Sequence, residues 1–291
     1  MENISVKLED ESVYKYKKYV FLFMILALFL FAIIPHDSIE NTSAAENKCL
    51  NILTSNKMQY YMVKEIVGDK HYIGYLFDSE ESAEELEYNS SLINNDIDLY
   101  IYSSSYYEEQ NKQVIKKMNY FRTGMIDISR GIRMKNYDLS SEGINPYYWT
   151  GDEEYKICLY NIKNAIEDKD PKNREYYESR YNKAIFNIKN DMIDEINDLK
   201  KNYTFIAVDD YFDYLYESIG LECIKCKCEE VDKFITDNNL STDDVIILRD
   251  ASTEIAPDNY EVVTLQKYNG GLTVQELYDN NIRNIYNKLK K

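Results

Sequence analysis

From residue 49 onward the chain alternates short apolar runs with segments whose apolar residues return every three or four positions. CLNILTS (49–55), HYIGYLF (71–77), DLYIYSS (98–104) and GMIDISR (124–130) are short runs of β-branched, aliphatic and aromatic residues, the pattern of strands covered on both faces. Between them, KMQYYMVKEIVGDK (57–70) reads as an amphipathic helix stopping at Gly68, and YYEEQNKQVIKKM (106–118) as another helix. Strands that alternate with helices pair in parallel through right-handed crossovers, so residues 49–150 are predicted to form an α/β lobe.

The same grammar returns after residue 203. YTFIAVDD, ECIKCKC, DVIILRD and YEVVTL read as strands; YFDYLYESIGL, closing at Gly220, and EEVDKFITDNN read as the intervening helices. The last helix, TVQELYDNNIRNIYNKLKK, ends in lysines that suit the negative end of its dipole. Residues 203–291 are therefore expected to be a second α/β lobe.

Residues 151–202 read as helical. Asp170 is a candidate N-cap with Pro171 at the first helical position, and neither Pro nor Gly follows before Lys201. Tyr177, Tyr181, Ile185, Ile188, Met192, Ile196 and Leu199 form one apolar stripe. Such a helix spans on the order of 45 Å, longer than a small lobe, and is expected to link the two lobes as a rigid backbone. The alternative for the same stripe is a coiled-coil partner helix.

Upstream, Lys15, Lys17 and Lys18 precede an uncharged apolar run from Tyr19 to Ile34. Residues 1–18 are expected to be cytoplasmic and 19–35 a transmembrane anchor or the apolar core of an export signal, with 36–48 a polar tether. TSAAEN (42–47) offers a small-residue cleavage site, so both an anchored and a secreted form stay open. In either case the chain from about residue 36 faces outside, on the extracytoplasmic side of the cell membrane.

Charge and chemistry then narrow the function. A net charge of -17 repels phosphates and argues against nucleic acid as a partner. Neither a Gly-rich phosphate loop nor a Ser/His/Asp order is found, and the two histidines are His36 and His71, so no enzyme is expected. The five cysteines are Cys49, Cys158, Cys223, Cys226 and Cys228. CIKCKC (223–228) could hold a soft metal, form a disulfide, or simply supply strand residues.

The chain's single tryptophan, Trp149, stands in NPYYWTGDEE (145–154), before a helical segment. This string, continued to YYESRYNKA, resembles the D-P-H-x-W turn and following helices of the extracytoplasmic solute-binding proteins of zinc/manganese ABC transporters. Further similar strings are NILTSNKMQYYMVKEIVGDK, NDIDLYIYSS, MIDISRGIRM and FIAVDDYFDYLYESIGLE, in the family's order over nearly all of 49–291. The resemblance implies two parallel-sheet lobes on a helical backbone, an ABC permease as partner, and a divalent cation (Mn, Zn or Ca) or other ligand in the cleft between the lobes. It places Trp149 as a structural anchor.

The family's four ligand positions fall nearest Glu84, Tyr147, Asp209 and Thr264, and none of these is histidine. The loop after the second strand is acidic instead: Asp78, Glu80, Glu81, Glu84, Glu85 and Glu87. Carboxylates from Glu84 and Asp209 favour a hard cation such as Mn²⁺ or Ca²⁺ over Zn²⁺. The alternative is a surface interaction or accessory protein that keeps the fold and has lost the metal.

Overall fold

The computed structural model describes residues 49–290 apart from 79–82, 84, 86–88, 105–107, 109, 140–142, 188–191 and 252–259. The expected cytoplasmic segment, anchor and tether lie outside the described residues; among the described residues no helix is long and apolar enough to cross a membrane. Residues 49–291 belong to one compact unit.

The first sheet has the order β2-β1-β3-β4, built from Asn51–Asn56 (β1), Tyr72–Phe77 (β2), Leu99–Tyr102 (β3) and Gly124–Asp127 (β4), and every pairing is parallel. Alternate residues feed two separate cores, as doubly covered strands require. Ile52, Leu99 and Ile101 enter the main core, while Leu53 and Tyr100 face Val114 and Met118 in a smaller one. Helix α1 (Lys57–Val67) starts directly from β1 through a capping box: Asn56 Oδ1 accepts from Gln59 N, and Gln59 Oε1 accepts from Asn56 N. It ends at Gly68, whose φ of 57° explains the glycine. Of the helix expected over 106–118, the described part is shorter, Asn111–Ile115 (α2).

The second sheet has the order β10-β9-β7-β8, again wholly parallel, from Thr204–Ala207 (β7), Cys223–Lys225 (β8), Val245–Asp250 (β9) and Glu261–Leu265 (β10). Phe205, Ala207, Ile246, Leu248, Val263 and Leu265 join the same main core as the first sheet. Ile206, Val245 and Ile247 face Val231 and Ile235 on the other side. Helices α6 (Asp213–Ser218) and α7 (Val231–Asp237) make the crossovers, and α8 (Val274–Leu289) begins with a Thr273–Glu276 capping box.

Between the sheets lie a two-stranded antiparallel hairpin, Lys135–Asn136 (β5) with Ile144–Asn145 (β6), and then α3 (Asp152–Lys169). The helix expected from Asp170 onward is present as a 3-10 turn (Pro171–Asn173), α4 (Arg174–Asn187) and α5 (Met192–Leu199); residues 188–191 lie outside the described residues. Asp170 stands at the N-cap with Pro171 following it, as expected, but its side chain makes no capping hydrogen bond. Its carboxylate accepts instead from Asn173 Nδ2 at 2.7 Å and from the Tyr177 hydroxyl at 2.5 Å. Helix α4 also covers the carboxyl end of α1, where Arg180 Nε donates to Glu65 O at 2.5 Å, a favourable place for a cation.

Candidate functional site

The turn after β6 fastens adjacent residues to different lobes. The Tyr148 hydroxyl hydrogen-bonds Ser103 Oγ just beyond β3, while the Tyr147 ring stacks on Tyr211 of the second lobe with centroids 3.7 Å apart. Trp149, 1% exposed, packs edge-on against both rings at 5.4 Å. Its burial makes it the anchor that holds the two tyrosines in opposite directions. Asn145 fixes the approach: its Oδ1 accepts from Tyr147 N at 3.0 Å, and its Nδ2 donates to Asp210 O at 2.5 Å.

Asp209 follows β7 at the carboxyl end of the second sheet, the edge where open parallel sheets place ligands. Its Oδ1 accepts from Tyr211 N at 3.1 Å and its Oδ2 from Asp250 N at 2.7 Å. Burial pushes the carboxyl up to about 6, against the pull of those two donors. Each oxygen retains lone-pair capacity after one hydrogen bond, so the group can still accept a cation. Tyr147 and Asp209 thus meet through Tyr211, which touches both.

Thr264 is not brought into this group. Its Oγ1 accepts from Arg249 Nε at 3.3 Å, whereas its neighbour Leu265 enters the main core, so strand alternation sends Thr264 to the other face. Glu84 lies outside the described residues, as do Glu80, Glu81 and Glu87 of the acidic loop. Asp78, which is described, pairs with Lys57 at 3.7 Å.

Sequence reasoning missed two residues here. Asp250, at the carboxyl end of β9 and 3% exposed, meets the Lys267 ammonium at 2.8 Å; that ammonium also lies 4.8 Å from the centre of the Tyr211 ring. The position of Asp250 at a strand's carboxyl end was a usable signal; Lys267, in the segment after β10, gave none.

A second carboxylate at the first sheet's edge was also missed. Glu108, 1% exposed, accepts from Asn56 Nδ2 (2.7 Å), Gln59 Nε2 (3.0 Å), Ser103 N (2.7 Å) and Asn111 Nδ2 (2.5 Å). Burial raises its pKa, while hydrogen bonds from Ser103, Ser55, Gln59 and Asn111 pull it down. With both oxygens met internally, it fixes the ends of β1 and β3 to α1 and α2.

His71 is taken up by structural partners. His71 accepts from Leu50 N at 3.2 Å and contacts the Tyr177 hydroxyl at 2.7 Å, and burial lowers its pKa. The CIKCKC thiols are not gathered: Cys223 packs toward the main core and Cys226 into the third, on opposite faces of the sheet. All five cysteines are free thiols. Among the described residues, Asp138, Asp210 and Asp213 are the acidic group close enough to share a cation. There Lys225 already bridges Asp210 and Asp213 and donates to Asp209 O at 2.7 Å.

Two parallel-sheet lobes share one core, and polar side chains of the second lobe and the Trp149 turn converge at their junction, the architecture of a two-lobed α/β protein. Residues 52–254 match the family described as zinc-uptake complex component A, periplasmic, and the chain belongs to that family. It is 26% identical over 232 residues to the high-affinity zinc uptake system protein ZnuA of Bacillus subtilis, spanning 71% of this chain and 70% of that protein. The fold is also that of a metal-free periplasmic metal binding protein (S38A mutant) from Candidatus Liberibacter asiaticus, with a TM-score of 0.66 and 17% identity over 82% of this chain and 99% of the other. The metal-dependent lipoprotein YcdH of Bacillus subtilis superposes with a TM-score of 0.63 and 22% identity, covering 83% of this chain and 99% of that one.

Proposed function

We propose that the chain is the extracytoplasmic solute-binding component of a metal ABC transporter and carries a divalent cation to a permease. Its membership of the zinc-uptake component A family is the observation that carries this reading. Relatives of the same fold are described as Mn-bound and Cd-bound, which supports a divalent cargo. Asp209 is the principal ligand in this proposal, with Glu84 and Tyr147 beside it; Asp250, whose backbone N–H donates to Asp209 Oδ2, adjoins Asp209. An all-oxygen set favours a hard cation, Mn²⁺ or Ca²⁺, over Zn²⁺. Residues 19–35 hold the protein at the membrane or direct its export, and α4 and α5 together act as a stiff link that limits lobe movement. The protein binds and delivers; it does not catalyse.

A second reading is favoured by the Tyr147–Tyr211 stack and the Lys267–Asp250 pair, which put the protein's own side chains at the junction. Under it the chain is an accessory protein without a metal. Calorimetry of the purified protein with MnCl₂, CaCl₂ and ZnCl₂ separates the two. Binding of Mn²⁺ or Ca²⁺ supports the transport reading; no heat and no thermal shift with any of them supports the second.

A further inference from the structure

The segment between β10 and α8 belongs to the second lobe by sequence, yet it reaches the first. It is pinned at its start by Asn281, whose Oδ1 accepts from Gln266 N at 2.8 Å and whose Nδ2 donates to Gln266 O at 3.0 Å. At its far end Gly270 is buried with φ 81°, and a Cβ there would stand 2.9 Å from Asp78 O, just past β2 of the first lobe. Only a residue without a side chain fits so close to that carbonyl in that conformation. Tyr268, between these points, packs against the main core. The segment is therefore a strap across the lobe junction, and Lys267 is its charged residue at the candidate site.

Lys267 is placed there as a cation would be. Its ammonium has the Asp250 carboxylate at 2.8 Å and the Tyr211 ring centre at 4.8 Å, and Tyr147 already covers a face of that ring at 3.7 Å. A carboxylate and an aromatic face are the two groups that favour an ammonium in a partly closed site. Asp250 in turn donates its backbone N–H to Asp209 Oδ2 at 2.7 Å, so the residue that holds Lys267 adjoins the proposed ligand. A divalent cation held by Asp209 and Asp250 would compete with the Lys267 ammonium for the Asp250 carboxylate, which cannot serve both fully.

We propose that Lys267 is a built-in counter-cation that occupies the cation site of the lobe junction, and that a divalent cation must displace it and loosen the 266–272 strap. This inference rests on the proposed cation-binding reading. It makes Lys267 the residue that sets the threshold affinity and ties ligand binding to release of a contact between the lobes.

The test is calorimetric titration with MnCl₂ of the full chain, Lys267→Met and Lys267→Arg. Removal of the charge is expected to tighten Mn²⁺ binding at least about tenfold, and the arginine variant to bind as the wild type does. Wild-type binding with no gain in Lys267→Met overturns the inference and leaves the transport reading standing; no binding by any of the three overturns both. Lys267→Met leaves Asp250 buried without this partner and could fail to fold, so the wild type supplies a second readout. Hydrogen exchange in 266–272 is expected to speed up on adding MnCl₂, and exchange that is unchanged or slowed overturns the inference.

Discussion

The carboxyl edge of the first sheet carries Glu108 and that of the second carries Asp209 and Asp250, and the two sets are finished in opposite ways. Glu108 is surrounded by donors from four residues of its own lobe. Asp209 accepts from two backbone N–H groups among the described residues, and Asp250 is met by a long side chain from a strap. Both edges have the topology that open parallel sheets use for ligands. What separates them is who satisfies the carboxylate: short, rigid amides make a structural joint, whereas a flexible lysine can be replaced.

This comparison breaks first, and most strongly, at Glu108. Glu108→Leu strands the amides of Asn56, Gln59 and Asn111 and the Ser103 N–H in a buried site. Urea unfolding is expected to show a loss of about 3–5 kcal/mol. A loss below about 1 kcal/mol would mean the site is wetter and more open than a structural joint allows.

Next comes Asp209. Its carboxyl titrates at about 6 when folded, above the ordinary 3.8. The folded state therefore binds the proton more tightly, so this group's stabilisation is complete below about pH 4 and lost as pH rises through about 6. The difference in unfolding free energy between wild type and Asp209→Asn should change by up to about 3 kcal/mol across that window and be flat above it. A difference independent of pH would place the carboxyl in solvent. Because protons compete with a cation for the same oxygens, Mn²⁺ affinity should also fall as pH drops below 6.

The Tyr147 ring offers a smaller effect. Tyr147→Ala should cost roughly 1 kcal/mol by loss of the stack on Tyr211. Tyr147→His should shift cation preference from Mn²⁺ toward Zn²⁺ in competitive titration, since imidazole suits zinc. An unchanged preference would put Tyr147 outside the ligand set. Least of all should reducing agent matter: all five thiols are expected to alkylate in denaturant without prior reduction. A Cys223–Cys226 bridge seen by mass spectrometry would contradict their placement on opposite faces of the sheet.

Much of the fold was legible in the sequence because doubly covered parallel strands are short apolar runs that little else resembles. The eight strands expected in the two lobes match β1–β4 and β7–β10 within a few residues; ECIKCKC was the exception, pairing only over Cys223–Lys225. Asp170 holds the expected N-cap position, but its oxygen is captured by Tyr177, a partner seven residues on that capping rules do not consider. At the candidate site, Tyr147 and Asp209 were named from the resemblance of their strings to the family's turn and strand-end motifs, and the structure places both against Tyr211. Lys267 and Glu108 could not be read from the sequence, since each matters through partners brought in by distant elements. The same limit applies to Thr264: a strand run shows alternation but not which face becomes the cleft.

Elemental analysis of the protein purified from its own host, beside the Asp209→Asn variant prepared identically, is the most direct measurement of cation carriage by this site. About one equivalent of manganese or calcium on the wild type and a marked loss on the variant is the predicted result. No metal on either chain, or zinc held equally by both, would contradict it.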